Sequence, residues 1–225
     1  MKTRTSLALL LAVLVIMALS ACINIGGGIG SVSGQGPMVE RDFQVAEFTS
    51  LNISGAFNIT WRESADVSVT VVMQENLFEH LSVSVTGGTL ALESERGFSV
   101  SVGNTPRLYI NSPLIEGISS EGAVTASDWD TVHSQNFTIN VEGAANIDLE
   151  MEVNTLNLVS AGAANINLTG NVDNANLRID GAGNVEITVS EQLDVVLNGV
   201  GRVRYRGNPV VTRDISGIGT VSRAD

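Results

Sequence analysis

The chain is 225 residues long, 44% apolar but only 4% aromatic, with 23 glycines and a formal net charge of −12. Its size admits one or two domains, its wealth of small residues argues against a helical bundle, and so acidic a surface repels nucleic acid and anionic lipid. Cys22 is the single cysteine, so no internal disulfide can form.

Residues 1–22 read as a leader. Lys2 and Arg4 precede an apolar run from Leu7 to Leu19. The run is short for a membrane span and suits a secretory signal. Leu19-Ser20-Ala21-Cys22 resembles the bacterial lipobox. The resemblance implies cleavage between Ala21 and Cys22, diacylglycerol on the Cys22 thiol and membrane lipid as a partner. Several acyl chains hold a protein on a bilayer where one does not. An ordinary signal peptide is the alternative. Residues 23–38 are Gly/Ser-rich, with no charge from Ile23 to Pro37, and predict a flexible tether with a root-mean-square reach of about 20 Å. After residue 22 the chain holds 10 arginines against 24 acids.

A single domain is expected over 39–225, irregular from 39 to 119 and regular from 120. Val39 to Phe48 suggests an opening strand. Leu51-Asn-Ile-Ser-Gly-Ala-Phe-Asn-Ile59 carries a phrase, with Gly55 and Asn58 in its key places, that returns later. Asp66 to Met73 is β-branched, Glu75 to Glu79 suits one helical turn, and Leu81 to Glu93 predicts a hairpin about Gly87-Gly88. Arg107 to Asn111 reads as a strand and Pro113 as a corner. Terminal repeats of a solenoid are commonly atypical because they cap an open core.

From Phe137 onward the phrase recurs five times, as in Glu142-Gly-Ala-Ala-Asn-Ile147 and Asp180-Gly-Ala-Gly-Asn-Val185. Its lead glycines, Gly143, Gly162, Gly181, Gly199 and Gly217, are spaced 19, 19, 18 and 18 apart, and a degraded copy has Gly122. A fixed period of that length is the signature of a solenoid. Four and two residues before each glycine, and four and six after it, stand mostly apolar residues: Leu158, Ser160, Ile166 and Leu168 in one copy, Leu177, Ile179, Val185 and Ile187 in the next. That is period-2 alternation on both sides of a turn. The fold class is therefore all-β, a parallel β-helix with coils of about 18–21 residues. Glycine suggests positive φ at the turn. Asn146, Asn165 and Asn184, with Asn58 before them, suggest a turn ladder of residues that tolerate the left-handed region and bond nearby backbone. Gly170 to Asp173 and Gly207 to Pro209 read as a third corner. Arg223 and Asp225 are expected to protect the last edge.

The lipobox, the tether, the Phe43 to Ile59 opening, the Glu75-Asn-Leu segment and the repeated Gly-Ala-Xaa-Asn turns resemble the putative auto-transporter adhesin, head GIN domain family of bacterial envelope proteins. The resemblance implies a right-handed parallel β-helix outside the cytoplasm, in the cell envelope. It brings no catalytic residues. The chain departs from the pattern where Arg202 and Thr220 replace the asparagine.

The asparagine ladder is a candidate sugar-binding comb, since amides pair with hydroxyls, or a means of satisfying turn backbone. Arg202, Arg204 and Arg206 share one face of a strand and form a candidate ligand face for a uronic acid or sulfate. Glu186 is expected opposite Arg204 in the adjacent coil, which makes a charge-balanced outer face the alternative. Asp148, Glu150 and Glu186 are the outward carboxyls from which a polysaccharide hydrolase would have to draw its pair. They form no tight cluster, so a non-catalytic binding, adhesin-like or structural module is the main expectation. A polysaccharide-active enzyme or a passive envelope scaffold are the alternatives. Asp128-Trp-Asp130 hints weakly at calcium, His80 and His133 are isolated, and no metal or cofactor is expected. Trp61 and Trp129 are read as packing residues or sugar platforms. Polysaccharide, or an envelope or host surface protein, is the expected partner.

Overall fold

The alternation of the repeats is realised as strands stacked in register, about six turns of a parallel β-solenoid. The computed structural model describes residues 32–95, 98–100 and 103–224, so the leader, Cys22 and the first part of the tether lie outside the described residues. In chain order the head comprises β1 (Val32–Ser33), β2 (Met38–Phe43), β3 (Ser50–Glu63), β4 (Ser68–Gln74), a 3-10 turn (Glu75–His80), β5 (Leu81–Thr86), β6 (Thr89–Ser94), β7 (Phe98–Ser99) and β8 (Arg107–Ser112). The regular stack comprises β9 (Gly117–Ala126), β10 (Val132–Val141), β11 (Ala144–Ser160), β12 (Ala163–Ile179), β13 (Ala182–Leu197), β14 (Val200–Arg206), β15 (Val210–Ile215) and β16 (Ile218–Arg223). Among the described residues no helix is long and apolar enough to cross a membrane.

Along β11 burial alternates residue by residue, with Ile147, Leu149, Met151 and Val153 inward and Asn146, Asp148, Glu150 and Glu152 outward. β12 and β13 repeat the pattern, and the apolar columns of successive coils merge into one core. Two residues after each lead glycine runs a further inward column: Phe57, Val124, Ala145, Ala164, Gly183, Gly201 and Gly219. Its side chains shrink from head to tail, from Phe57 to glycine.

The lead glycines are explained differently from the expectation. Among them only Gly55 has a positive φ, at 136°. Gly143, Gly162, Gly181, Gly199 and Gly217 stand in a column where a Cβ would run into the backbone oxygen of the preceding coil's glycine. Close approach of stacked backbones, not a left-handed turn, requires glycine there. Positive φ belongs to the third corner, at Gly170 (87°) and Gly207 (97°). That corner also absorbs the change of period from 19 to 18: Leu168 pairs Ile187, Val172 pairs Val189 and Asn174 pairs Gln192, with register shifts between them. Both flanking faces stay in phase.

The head is folded back rather than merely irregular. β3 lies parallel to β9, Gly55 against Gly122, although the two are far apart in sequence. The intervening chain goes outward. β6 and β8 add parallel strands to the other side of β3, and β5 and β4 then pair antiparallel to them as a lid, with β2 antiparallel on β4. The 3-10 turn buries Leu77 and Phe78 under this lid. Trp61 donates its indole N–H to Ser112 Oγ (2.8 Å) and Trp129 donates to the Ile59 carbonyl (2.8 Å), with ring centroids 6.0 Å apart. Both are packing residues, buried, and neither serves as a sugar platform. The tether is fixed earlier than expected: from Val32 it pairs with β7, and Asn76, Gln74 and Glu75 bond the backbone of residues 33, 35, 36 and 37.

Candidate functional site

The repeat places two outward rows on the strands that follow the glycine edge. Ala56, Ala123, Ala144, Ala163, Ala182 and Val200 form the first, in register from coil to coil. Asn58, Thr125, Asn146, Asn165, Asn184 and Arg202 form the second. The small first row lets the surface sink, and the amide row walls it. The result is a shallow trough of about 740 Å³ reaching from Ala56 to Gly201. At one strand spacing per coil it runs about 24 Å along the solenoid. None of its described lining residues is acidic.

Asn146, Asn165 and Asn184 lie within strands and are exposed, so they do not serve the turn backbone as one reading of the sequence had it. Asn184 Nδ2 instead donates to Asn165 Oδ1 at 3.2 Å. An amide in such a ladder keeps a second N–H and a spare lone pair for a ligand. The asparagine row was legible in the sequence but the trough was not, because its depth comes from the alanine row and from in-register stacking.

A second hollow of about 520 Å³ lies on the strands before the glycine edge, lined among others by Ser119, Glu121, Asn140 and Glu142. Asn140 Nδ2 donates to Ser119 Oγ there (3.4 Å). The column just before the lead glycines is polar as well, except at Ala161. Asp180 accepts from Asn198 Nδ2 (2.7 Å) and from Arg178 Nε (2.8 Å), and Ser216 donates to Asn198 Oδ1 (2.8 Å). The Asn198 amide, and after it the Arg178 guanidinium, hold the Asp180 carboxyl below its ordinary value of 3.8.

Arg202, Arg204 and Arg206 do share one face of β14, and Glu186 stands opposite Arg204. Arg204 Nη1 lies 3.0 Å from Glu186 Oε1, and Arg206 Nη2 lies 3.6 Å from Oε2. One carboxylate thus occupies two of the three guanidiniums. Arg202 has no ion pair among the described residues and ends the amide row beside the trough. The candidate carboxyls do not converge. Asp148 accepts from Asn167 Nδ2 (2.8 Å), Glu150 is exposed, Glu186 is held by arginine, and none of them lines either hollow.

The calcium hint at Asp128-Trp-Asp130 has another explanation. Arg62 donates to Asp128 Oδ2 (2.8 Å) and to the Asp128 carbonyl, and Asp130 accepts from the Glu63 N–H (2.9 Å). A guanidinium sits where a cation would. His80 pairs with Glu95 (2.8 Å) and His133 approaches Glu152 (3.5 Å), at separate places. Among the described residues no group of three metal-ligating side chains comes together.

A family model described as "Putative auto-transporter adhesin, head GIN domain" matches residues 47–221. The chain belongs to this family. The head GIN domain here is similar in structure to a protein described as a putative adhesin from Bacteroides fragilis NCTC 9343, at 22% identity and a TM-score of 0.72, covering 86% of this chain and 100% of that one. A putative adhesin from Parabacteroides merdae ATCC 43184 is 19% identical with a TM-score of 0.54, over 87% and 99%. A protein from Parabacteroides distasonis ATCC 8503 described as a putative lipid binding protein is 16% identical with a TM-score of 0.50, over 87% and 100%. These likenesses show the shared fold. No curated protein matches the chain. Membership makes it an adhesin-like module of the cell surface or envelope.

Proposed function

We propose that this head GIN domain is a lipid-anchored, non-catalytic envelope module that grips an extended polysaccharide along the trough of alanines and asparagines. The observation that supports this reading is the in-register amide row. It offers donors and acceptors at one strand spacing, about 4.8 Å apart, over a floor of small side chains and with no acid among the lining residues. An extended chain of sugars presents hydroxyls at comparable intervals, and its apolar ring faces suit the alanine floor. Arg202 at the end of the row adds a charge for a uronic acid or sulfate. Glu186 balances Arg204 and Arg206, which leaves Arg202 as the arginine of that face with the most to offer a ligand.

The anchor in this reading is Cys22, acylated at the bilayer. The ten residues from Cys22 to Val32 span at most about 35 Å. Val32 is pinned to the head, so the chain enters the domain at that end. A Cys22→Ala variant is expected to leave the membrane fraction, and its retention there would sink the anchor.

The binding reading is tested by incubating residues 23–225 with a polysaccharide panel and recording both retention and polymer length. Retention with unchanged length, lost in an Asn146→Ala/Asn165→Ala/Asn184→Ala variant, is expected. Shortened polymer would make the protein an enzyme, and no retention would point to a protein partner or a scaffold.

A further inference from the structure

The tail of the stack departs from the coils before it in three respects. First, β15 and β16 each have, among the described residues, a strand on one side only, β13 and β14 respectively. An unpaired edge presents a row of backbone N–H and C=O groups that templates another strand. Second, apolar side chains turn outward. Of six large exposed apolar residues among the described ones, four are here: Val200, Val210, Ile215 and Ile218, the last 75% exposed. Third, the charge reverses. Residues 198–224 hold five arginines and one acid, a formal +4, whereas residues 32–197 hold five arginines and 22 acids, a formal −17.

We propose that the free edge of β16 is a docking site for an acidic, extended segment of a partner polypeptide, which adds to the solenoid as a further strand. Backbone pairing along β16 supplies affinity, and side chains at alternate positions supply selectivity. In register over Arg202 and Arg204 lie the short residues Thr220 and Ser222. Long acidic side chains on an added strand reach across Thr220 to the Arg202 guanidinium, since Glu186 already holds Arg204. Ile218 offers the same strand an apolar contact.

The arginines also decide which strand is admitted. Arg213 and Arg223 stand in columns that hold leucine or isoleucine in earlier coils, in register with Val195 and Tyr205 of the coil before. Arg213 Nη1 donates to the Val221 carbonyl (3.1 Å), which lays its charge across the open core. Inward charges of this kind prevent indiscriminate edge pairing. A second copy of this tail would set arginine against arginine, a like-charge arrangement that costs affinity. A strand carrying carboxylates meets the arginines as partners. The occupant is therefore acidic and is not a second copy of this tail. This site adjoins the end of the trough, where Val200 lines the trough and Arg202 ends its amide row, but Ile218 and Arg223 belong to the docking edge alone and the asparagine row to the trough alone.

The test is calorimetric titration of the full chain in detergent with three ten-residue probes. One alternates glutamate and valine, one alternates lysine and valine, and one is the first peptide with alternate backbone nitrogens methylated so that one edge cannot pair. The Glu/Val peptide is expected to bind, more weakly as salt rises. Binding should fall at least tenfold with the methylated peptide, with Ile218→Asp, and with Arg202→Glu/Arg223→Glu, all at exposed positions, folding being checked by circular dichroism. The Lys/Val peptide should not bind, and the triple asparagine variant should bind as the parent does. Equal binding of the methylated peptide would mean charge attraction without strand addition and overturn the proposal. So would equal binding of the Lys/Val peptide, indifference to Ile218→Asp, or sedimentation showing that the chain alone pairs through its tail.

Discussion

The head and the tail of the solenoid meet the same difficulty in opposite ways. A stack of parallel coils ends in an open core and unpaired strands. At the head, residues 32–112 are given over to closing that opening: antiparallel strands reverse the sheet, a 3-10 turn covers the core, and the Trp61–Trp129 pair wedges one corner. Among the described residues of the head, Tyr109 is the one large apolar side chain that is exposed. At the tail, among the described residues, no such cap covers β15 and β16. Arginines occupy core columns and apolar residues face outward. The head is closed by construction and the tail is guarded by charge, so the head carries the stability and the tail carries the exposed edge.

The largest effect should come from breaking the head. Trp61 is 2% exposed and bonded to Ser112; Trp61→Ala opens a cavity and is expected to cost about 3–5 kcal/mol. Tyr205→Ala, on a half-buried residue of the tail, should cost about 1 kcal/mol. The midpoints of urea unfolding measure both, and equal shifts would break the comparison. Next comes the glycine column. Gly162→Ala puts a methyl group into the Gly143 backbone between two fixed coils, at about 1–3 kcal/mol. Gly217→Ala meets the same obstacle at Gly199, but β16 has a free side and can lift, so its thermal shift should be the smaller of the two.

Smaller still is Glu186→Gln. It frees Arg204 and Arg206 at about 0–1 kcal/mol, and the difference from the parent should vanish in 1 M salt as screening takes over. The least effect is expected at Asp180. Its folded value is depressed, so its contribution is complete above the ordinary 3.8 and is lost as pH falls from there through the lower folded value. Melting curves of Asp180→Asn should lie below those of the parent at neutral pH and converge with them as the pH drops under 3.8.

The regular coils were legible because each carries its own evidence. A residue such as Ile166 is flanked by polar neighbours, and its counterparts recur at a fixed interval, so inward and outward faces follow from alternation alone. The outer pairing of Glu186 with Arg204 followed from the same column. The head was not legible in this way. Its strands contact partners far away in sequence, and no local pattern marks that β3 joins β9 while β6 and β8 lie on its other side. The lead glycines were identified but given the wrong reason, since close backbone approach and positive φ call for the same residue. The trough escaped notice because an alanine row such as Ala144, Ala163 and Ala182 looks like turn filler until the coils are stacked.

The third corner has a consequence for how such a chain can change over generations. A residue gained or lost at 170–173 or 207–209 alters the length of one coil, yet the strands on either side keep their pairing, as the step from 19 to 18 already demonstrates. The same change beside Gly162 would turn every following side chain to the opposite face. Variation in length is thus channelled to one edge of the protein. Foreign segments spliced in there would be displayed along that edge, at a loop-closure cost that grows only slowly with their length, while both hollows keep their shape.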